Sequence, residues 1–324
     1  MIGKHTVQVR NNRKVRYDFT LNRNITIVQG DSGTGKTTLF DMIAAYAQQG
    51  EKSGVYVNCD VPCIALRPDD AWESKLQSTA QSIVFIDEDA DYACTEQFAS
   101  AVKASDNYYV LFSREAFHNL PYSVEEIYEI KTSGKYHTFR KRYKSSKGLT
   151  YAQASESKKS EILLTEDSHA GYQFYQSVYE GTSVQCVPAG SNSNIFPWLM
   201  EHHDKSVVVV ADGAAFGCEM GRLMTLQHQY AEKITICLPE CFEWLILQSG
   251  LIDDPDLQKM LTDPSEAIDS SRYFSWENFF TDYLIRHTAN THYAYSKSSL
   301  CDFYTLRENR EKIIAIIAAN LPKR

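Results

Sequence analysis

The distribution of apolar residues divides the first half of the chain into short strands and helices. Residues 6–10 and 15–21 alternate between apolar and polar side chains, a pattern that predicts the two strands of a β-hairpin. The continuous apolar run at 25–29 predicts a buried strand, and the apolar spacing over residues 36–48 is that of a helix. The remaining segments are predicted as strands at 54–58, 82–86 and 108–114, helices at 71–81 and 97–104, an irregular stretch at 62–70, and a second hairpin from 124–131 and 136–143.

The second half of the chain repeats this alternation after a break. Residues 144–160 are rich in serine and lysine, have few apolar positions and show no periodicity, so they predict a linker. Beyond them, strands are predicted at 161–165, 183–187, 206–212 and 233–238, and helices at 170–179, 195–202, 216–230, 241–248, 276–287 and 303–321. The chain is therefore predicted to be an α/β protein with two parallel sheets, organised as a domain at 1–147, a linker at 148–160, a domain at 161–250 and a helical extension at 251–324.

The composition is that of a soluble globular protein, because 43% of the 324 residues are hydrophobic and 23% are charged. No apolar run approaches the ~20 residues of a membrane span, and no apolar segment follows the first residues as it would in a signal peptide. The eight cysteines are scattered singly, which favours reduced core thiols over metal sites at Cys59/Cys63 or Cys237/Cys241. These features predict a cytoplasmic protein that does not contact membranes.

The segment between the strand at 25–29 and the helix at 36–48 matches the phosphate-binding loop pattern G-x4-G-K-[ST]. Glycines allow the backbone N–H groups to converge on one anion, and the positive end of the following helix points at the same phosphates. Lys36 is expected to reach the β- and γ-phosphates, and the Thr37 hydroxyl to bind Mg²⁺. An ordinary glycine-rich turn is the alternative. The predicted ATP-binding residues are Gly30, Asp31, Ser32, Gly33, Thr34, Gly35, Lys36, Thr37 and Thr38.

Polar residues follow two further apolar strands, at the edge where ligands bind in open α/β sheets. Asp87 comes directly after the strand at 82–86 and is predicted to lie near Mg²⁺, and Glu88 to act as the general base for water. Ser113 and Arg114 end the strand at 108–114 and are candidate sensors of the γ-phosphate, although a structural ion pair explains Arg114 equally well.

Charge is spread unevenly along the chain, whose net charge is -8. The segment 131–147 is basic and contains no acid, and aromatic residues are interleaved with its basic ones. Such a segment could bind nucleic acid phosphates, or it could be the solvated surface of a hairpin. The residues predicted to bind nucleic acid are Lys135, Arg140, Lys141 and Arg142.

The second half also carries acids after apolar strands. Glu166 and Asp167 follow the strand at 161–165, and Asp212 ends the strand at 206–212. At one sheet edge these carboxylates could bind Mg²⁺ with phosphates bridging the ion, and Glu166 and Asp212 are the predicted ligands. A sheet of the same kind with no metal chemistry is the alternative. Glu219 lies about two helical turns from Asp212 and is a poor further ligand.

Both halves resemble parts of one family. The motifs GDSGTGKTT (30–38), IVFIDED (83–89) and LFSRE (111–115), with the preceding hairpin, resemble the ABC-type ATPase core of AAA-ATPase/Toprim proteins, the OLD-like nucleases. Residues 159–245 look like a Toprim domain, with Glu166 after the first strand, Asp212 after the third, and Glu243 near a later acidic position. Ala214 stands where that fold has a second aspartate.

The resemblance implies a P-loop NTPase sheet followed by a Toprim-like (Rossmann-like) parallel sheet with a helical tail. It implies ATP and Mg²⁺ as cofactors, action on or sensing of nucleic acid, a role in defence against phage, and self-association or a partner protein. The alternative is a regulatory ATP-binding module whose second half is a catalytically inactive interaction domain.

Overall fold

The computed structural model describes residues 1–146, 149–154 and 161–322. It consists of two compact units. The first contains residues 1–143 and 263–275, and the second contains 144–262 and the residues from Trp276 onwards. The segment 263–275, which the sequence analysis placed in the helical extension, is therefore part of the first unit. Each unit contains a β-sheet with helices, so the protein belongs to the α/β class.

The sheet of the first unit has nine strands in the order β4-β1-β2-β9-β8-β3-β7-β6-β5. Its strands are β1 (His5–Asn11), β2 (Arg16–Leu21), β3 (Ile25–Gln29), β4 (Val55–Asn58), β5 (Cys63–Leu66), β6 (Ile83–Ile86), β7 (Tyr108–Ser113), β8 (Ile127–Ser133) and β9 (Tyr136–Lys141). The five strands from β8 to β5 are parallel, whereas β1 pairs antiparallel with β2 and β4, and β8 pairs antiparallel with β9. The sheet is thus mixed: the predicted parallel arrangement runs from β8 to β5, β2 also pairs parallel with β9, and the two predicted hairpins form the antiparallel pairs β1–β2 and β8–β9.

Three helices accompany this sheet: α1 (Lys36–Gln49), α2 (Trp72–Gln77) and α3 (Glu96–Lys103). Helix α1 buries Leu39, Phe40 and Ile43. Ile43 lies four residues after Leu39 and three after Phe40, so the three side chains lie on one face. Helix α3 is preceded by Thr95, whose hydroxyl accepts the Phe98 N–H at 3.2 Å and caps the first turn.

Two predictions for the first unit are wrong. Strand β5 forms inside the stretch 62–70, which was predicted to be irregular, and the helix predicted at 71–81 is shortened to the six residues of α2. A four-residue apolar run beside two prolines carries too little periodicity to identify a strand, and it is the pairing with β6 that fixes it.

The segment 263–275 adds backbone and side-chain contacts to the first unit. The N–H of Gly3 donates to the Ser265 carbonyl at 2.9 Å, and the Lys4 ammonium donates to Asp263 Oδ2 at 2.7 Å. The Asn24 amide donates to the Phe274 carbonyl at 3.1 Å, just before β3 begins. The segment therefore supports the first strands of the sheet from a distant part of the chain.

The second unit has a five-stranded sheet in the order β10-β14-β13-β11-β12. The strands are β10 (Thr150–Ala152), β11 (Ile162–Thr165), β12 (Gln185–Pro188), β13 (Val207–Val210) and β14 (Ile234–Cys237). The last four are parallel, as predicted, and β10 pairs antiparallel with β14. Part of the predicted linker therefore forms an edge strand, while positions 147–148 and 155–160 lie outside the described residues.

The helices of the second unit lie between and after these strands. They are α4 (Ala170–Tyr179), α5 (Asn192–Glu201), α6 (Gly217–Gln229), α7 (Phe242–Gln248), α8 (Leu257–Thr262), α9 (Trp276–Thr288), α10 (Asp302–Thr305) and α11 (Arg307–Ala315). The prediction of a single helix at 303–321 is wrong, because Leu306 has an extended ψ of 138° and separates α10 from α11. Within the described ranges, no helix is long and apolar enough to cross a membrane.

The strand order of the second sheet places its acids together. The chain runs from β11 to β12 on one side and then returns to β13 on the other side of β11. The crevice at such a reversal, beyond the carboxyl ends of the strands, is where open α/β sheets bind ligands. Glu166 follows β11 and Asp212 lies two residues after β13, so both reach this position.

Candidate functional site

The loop between β3 and α1 depends on glycine at its last position. Gly35 has a φ of 102°, a left-handed conformation that side chains disfavour, and it directly precedes the first residue of α1. The Tyr17 hydroxyl donates to the Gly35 carbonyl at 2.9 Å. A Cβ at position 35 would lie 2.9 Å from this hydroxyl oxygen, so both the conformation and the space require glycine.

Lys36 turns back over the loop instead of extending into solvent. Its side chain is only 3% exposed, and its ammonium donates to the carbonyl oxygens of Gly30 and, at 3.4 Å, Asp31. The same ammonium lies 3.5 Å from Glu88 Oε2. One cation at the start of α1 therefore links the loop after β3 to the turn after β6.

Strand order explains how Lys36 and Glu88 meet. Strands β3 and β6 flank β7, so the turns at their carboxyl ends face each other across the end of β7. Arg114 directly follows β7, and its Nε donates to Glu88 Oε1 at 2.5 Å. The Glu88 carboxylate is thus held between Lys36 and Arg114, one on each oxygen.

The cleft beside the loop has an aromatic side that the sequence analysis missed. Besides loop residues, Glu88 and Arg114, the cleft is lined by Val15, Tyr17, Thr132 and His137. The rings of Tyr17 and His137 stack with centroids 4.4 Å apart, and His137 Nδ1 and the Thr132 hydroxyl form a hydrogen bond at 2.9 Å. Burial raises the pKa of Tyr17 to about 12 and lowers the pKa of His137, so both rings are favoured in their neutral forms.

The predicted residues of the first unit are not all in this cleft. Of the loop residues, Asp31 to Thr38 line it. Asp87 and Ser113 do not: Asp87 Oδ1 accepts the Asp89 N–H at 3.0 Å, and the Ser113 hydroxyl donates to the Glu115 carbonyl at 2.8 Å. Burial raises the pKa of Asp87. The structure therefore brings Lys36, Thr37, Glu88 and Arg114 together and turns Ser113 to its own backbone.

The acids of the second unit surround a small cavity at the β11–β13 reversal. The Asp212 N–H donates to Glu166 Oε2 at 2.9 Å, which fixes these two predicted residues side by side. Glu243, in the first turn of α7, is 1% exposed, and its Oε1 accepts from the Tyr295 hydroxyl at 2.8 Å. Lys297 also lines the cavity and donates to Glu277.

Charge within this cluster is poorly balanced. Burial raises the pKa of Glu166 to about 7 and raises that of Asp212 well above its usual range, and the neighbouring acids add to both shifts. Burial acts on Lys297 in the opposite direction, but Glu243, Glu277 and Asp212 outweigh it and raise the pKa of the ammonium. Lys297 is therefore fully charged at neutral pH.

The residues around this cavity do not fit a magnesium ion. Among the described residues of the second unit, no three carboxylate, imidazole or thiol ligand atoms lie within 4.8 Å of one another. Ala214, at the position of the expected second aspartate, is 2% exposed and offers no ligand. The cavity has room for about one water molecule, whereas Mg²⁺ usually keeps several.

The basic segment lies largely on the β8–β9 hairpin, and part of its charge is paired. Arg140 forms an ion pair with Glu129, and Lys141 with Glu125. These acids come from β8 and from the turn before it, outside the acid-free run. Lys131 and Arg142 are exposed, and Lys147 lies outside the described residues. The sequence run therefore overstates the positive charge that this hairpin presents.

Comparison with known proteins adds no relative to this description. The chain matches no protein-family model, no curated protein and no solved structure. The two sites themselves therefore carry the evidence for function.

Proposed function

We propose that the first unit binds ATP with Mg²⁺ and hydrolyses it. The observation that carries this proposal is the contact of Lys36 with both the Gly30 carbonyl and Glu88. A buried ammonium at a helix start, beside a glycine loop and facing a carboxylate from another strand end, supports phosphoryl transfer from a nucleotide.

The phosphates of ATP would exchange contacts with the groups that now hold Lys36. The loop offers backbone N–H groups and the positive end of α1, and phosphate oxygens are stronger partners for an ammonium than a carbonyl. The β- and γ-phosphates would therefore draw Lys36 away from Gly30. Tyr17 and His137 form the neutral, aromatic side of the cleft, which suits the uncharged part of a nucleotide.

Metal and water have candidate partners in the same unit. The exposed Thr37 hydroxyl lines the cleft and is a hard oxygen donor for the Mg²⁺ that accompanies ATP. Asp87 is one residue before Glu88 and would contribute from outside the cleft lining. Glu88 would act as the general base, and Arg114 would leave it to contact the γ-phosphate.

Lys36→Ala tests this proposal directly. We expect the variant to lose binding of a fluorescent ATP analogue and to lose ATP turnover, measured by phosphate release. Lys103→Ala removes an exposed lysine at the end of α3 and is the matched control. Wild-type affinity and turnover in Lys36→Ala would rule the proposal out.

For the second unit we propose a Toprim-like domain that acts on or senses nucleic acid, with a role in phage defence as the family resemblance implies. The runner-up is a regulatory ATP-binding protein whose second unit is catalytically inactive and contacts a partner protein or a second copy of the chain. The poor fit of the acidic cavity to Mg²⁺ favours this second possibility. A nuclease assay on DNA and RNA, with and without Mg²⁺ and ATP, separates the two.

A further inference from the structure

The segment that carries Lys297 is attached to helices α4 and α9 of the second unit by hydrogen bonds of its backbone. The Lys297 carbonyl accepts the N–H of Ala170, the first residue of α4, at 3.1 Å. Two residues earlier, the Tyr295 N–H donates to the Thr288 hydroxyl at 2.9 Å, and three residues later the Leu300 N–H donates to Gln173 Oε1 at 2.8 Å. Lys297 is therefore held in place beside the turn that carries Glu166.

This attachment brings two side chains into the acidic cavity. Tyr295 and Lys297 both line it, and they are two residues apart, as side chains on one side of an extended segment are. Tyr295 donates to Glu243, and Lys297 donates to Glu277. The cavity thus receives one hydroxyl donor and one ammonium from the same segment, residues 295–300, which we call the strap.

The charges of the lining are strongly one-sided. Four of the described lining residues are acids: Glu166, Asp167, Asp212 and Glu243. Lys297 is the one cation in that described lining. Glu243 Oε2 is buried without a hydrogen-bond partner, so its charge is offset mainly through space. Removing the Lys297 charge would leave these carboxylates with uncompensated mutual repulsion.

We propose that Lys297 is a tethered cation that takes the electrostatic place of a divalent metal in the second unit, so that this centre binds neither Mg²⁺ nor Mn²⁺ and cleaves no phosphodiester. The ammonium neutralises the acids that the sheet reversal brings together, and the strap holds it there. This inference does not depend on ATP binding by the first unit.

Metal binding tests whether Lys297 takes the place of a divalent metal. Mn²⁺ alone is titrated into the full chain without nucleotide, and bound ion is followed by electron paramagnetic resonance. We expect the wild type to show no Mn²⁺ site that depends on Asp212, so Asp212→Asn should leave its Mn²⁺ binding unchanged. In Lys297→Met, which keeps the length but not the charge, we expect an Mn²⁺ site to appear and to be lost again in Lys297→Met/Asp212→Asn.

Thermal unfolding tests whether the Lys297 charge stabilises the acids. This measurement gives a result even if Lys297→Met binds no metal. We expect Lys297→Met to lower the melting temperature by about 5 °C, Lys297→Arg to change it little, and Asp212→Asn to restore most of the loss in the double variant. If the losses in melting temperature of Lys297→Met and Asp212→Asn simply add in the double variant, the proposal is overturned. So would Mn²⁺ binding by the wild type that depends on Asp212, or a Lys297→Met variant that matches the wild type in both measurements.

Discussion

The Glu88 carboxylate is shared by two cations: its Oε2 lies 3.5 Å from the Lys36 ammonium, and its Oε1 accepts from Arg114 Nε at 2.5 Å. Both cations are of the kind that phosphate oxygens bind strongly. Incoming phosphates compete for both cations, so a bound nucleotide would free Glu88 to accept a proton. We therefore expect nucleotide binding to release Glu88 through the same two side chains. Arg114 is 64% exposed and can move without leaving a buried charge behind.

Glu88→Gln is expected to keep ATP binding and to slow hydrolysis by ~10²-fold or more, the usual range for losing a general base. The amide keeps the size of the side chain but cannot accept the proton of the attacking water. Nucleotide affinity by fluorescence titration and phosphate release under saturating ATP measure the two effects separately. Glu51→Gln, an exposed acid beyond α1, is the control. Wild-type turnover in Glu88→Gln would assign the base elsewhere.

Gly35→Ala is expected to weaken ATP binding at least tenfold. A left-handed φ of 102° costs a residue with a Cβ about 1–2 kcal/mol, and the new atom would also meet the Tyr17 hydroxyl. Tyr17→Phe removes that oxygen but not the backbone strain. We therefore expect Gly35→Ala/Tyr17→Phe to remain as defective as Gly35→Ala. Recovery in the double variant would show that crowding alone, and not conformation, makes glycine necessary.

Glu126 is expected to make the first unit less stable as the pH rises. This carboxyl is 2% exposed, and burial raises its pKa to about 7 although Arg23 Nε lies 3.7 Å away. Between its unfolded pKa of about 4.3 and about 7, the folded state holds a proton that the unfolded state has lost, so stability falls with pH in that window and levels off above it.

The size of this fall is on the order of 3 kcal/mol in the free energy of unfolding. Urea unfolding at a series of pH values, followed by a probe in the first unit, measures it. Glu126→Gln cannot ionise and should flatten the profile across the window. An equally steep fall in Glu126→Gln would show that other groups cause the dependence.

The β8–β9 hairpin is expected to bind nucleic acid weakly, with an affinity that falls steeply with salt because bound phosphates release counterions. Glu125→Gln/Glu129→Gln frees Lys141 and Arg140 from their ion pairs and should tighten binding, whereas Lys131→Gln/Arg142→Gln should weaken it. Fluorescence anisotropy with a labelled oligonucleotide at several salt concentrations measures both.

The control for the hairpin is Glu51→Gln/Glu96→Gln, which changes net charge by the same amount as the first pair but elsewhere in the unit. If this control tightens binding as much, the effect is one of total charge. An affinity that does not change with salt would exclude the hairpin as the nucleic acid binding surface.

Contacts within contiguous motifs and at the common edge of parallel strands were predictable, whereas contacts made on a sheet face or by an irregular segment were not. The loop from Gly30 to Thr37 and the pair Asp87-Glu88 were found because each is a contiguous motif after an apolar strand. Glu166 and Asp212 were placed together because parallel strands end at one edge, and the 2.9 Å hydrogen bond between their segments agrees with that.

Tyr17, His137 and Lys297 were missed for the same physical reason. Tyr17 and His137 lie on β2 and β9, which are neighbours in the sheet but far apart in the chain. Lys297 belongs to an irregular segment with no motif, and hydrogen bonds from this segment to α4 and α9 bring it to the acids. Sequence pattern also misplaced Ser113, since a hydroxyl at a strand end can bond to its own following backbone as readily as to a ligand.

The contribution of residues 263–275 to the first unit has a consequence for the order in which the protein forms on the ribosome. Gly3, Lys4 and Asn24 find their partners Ser265, Asp263 and Phe274 only after most of the second unit has been translated. At the usual rate of ~5–20 residues per second, the wait after residue 143 is roughly 7–26 s. During that time the emerging first sheet lacks part of its support, so a fragment that stops at residue 143 would represent this nascent state and not the finished unit.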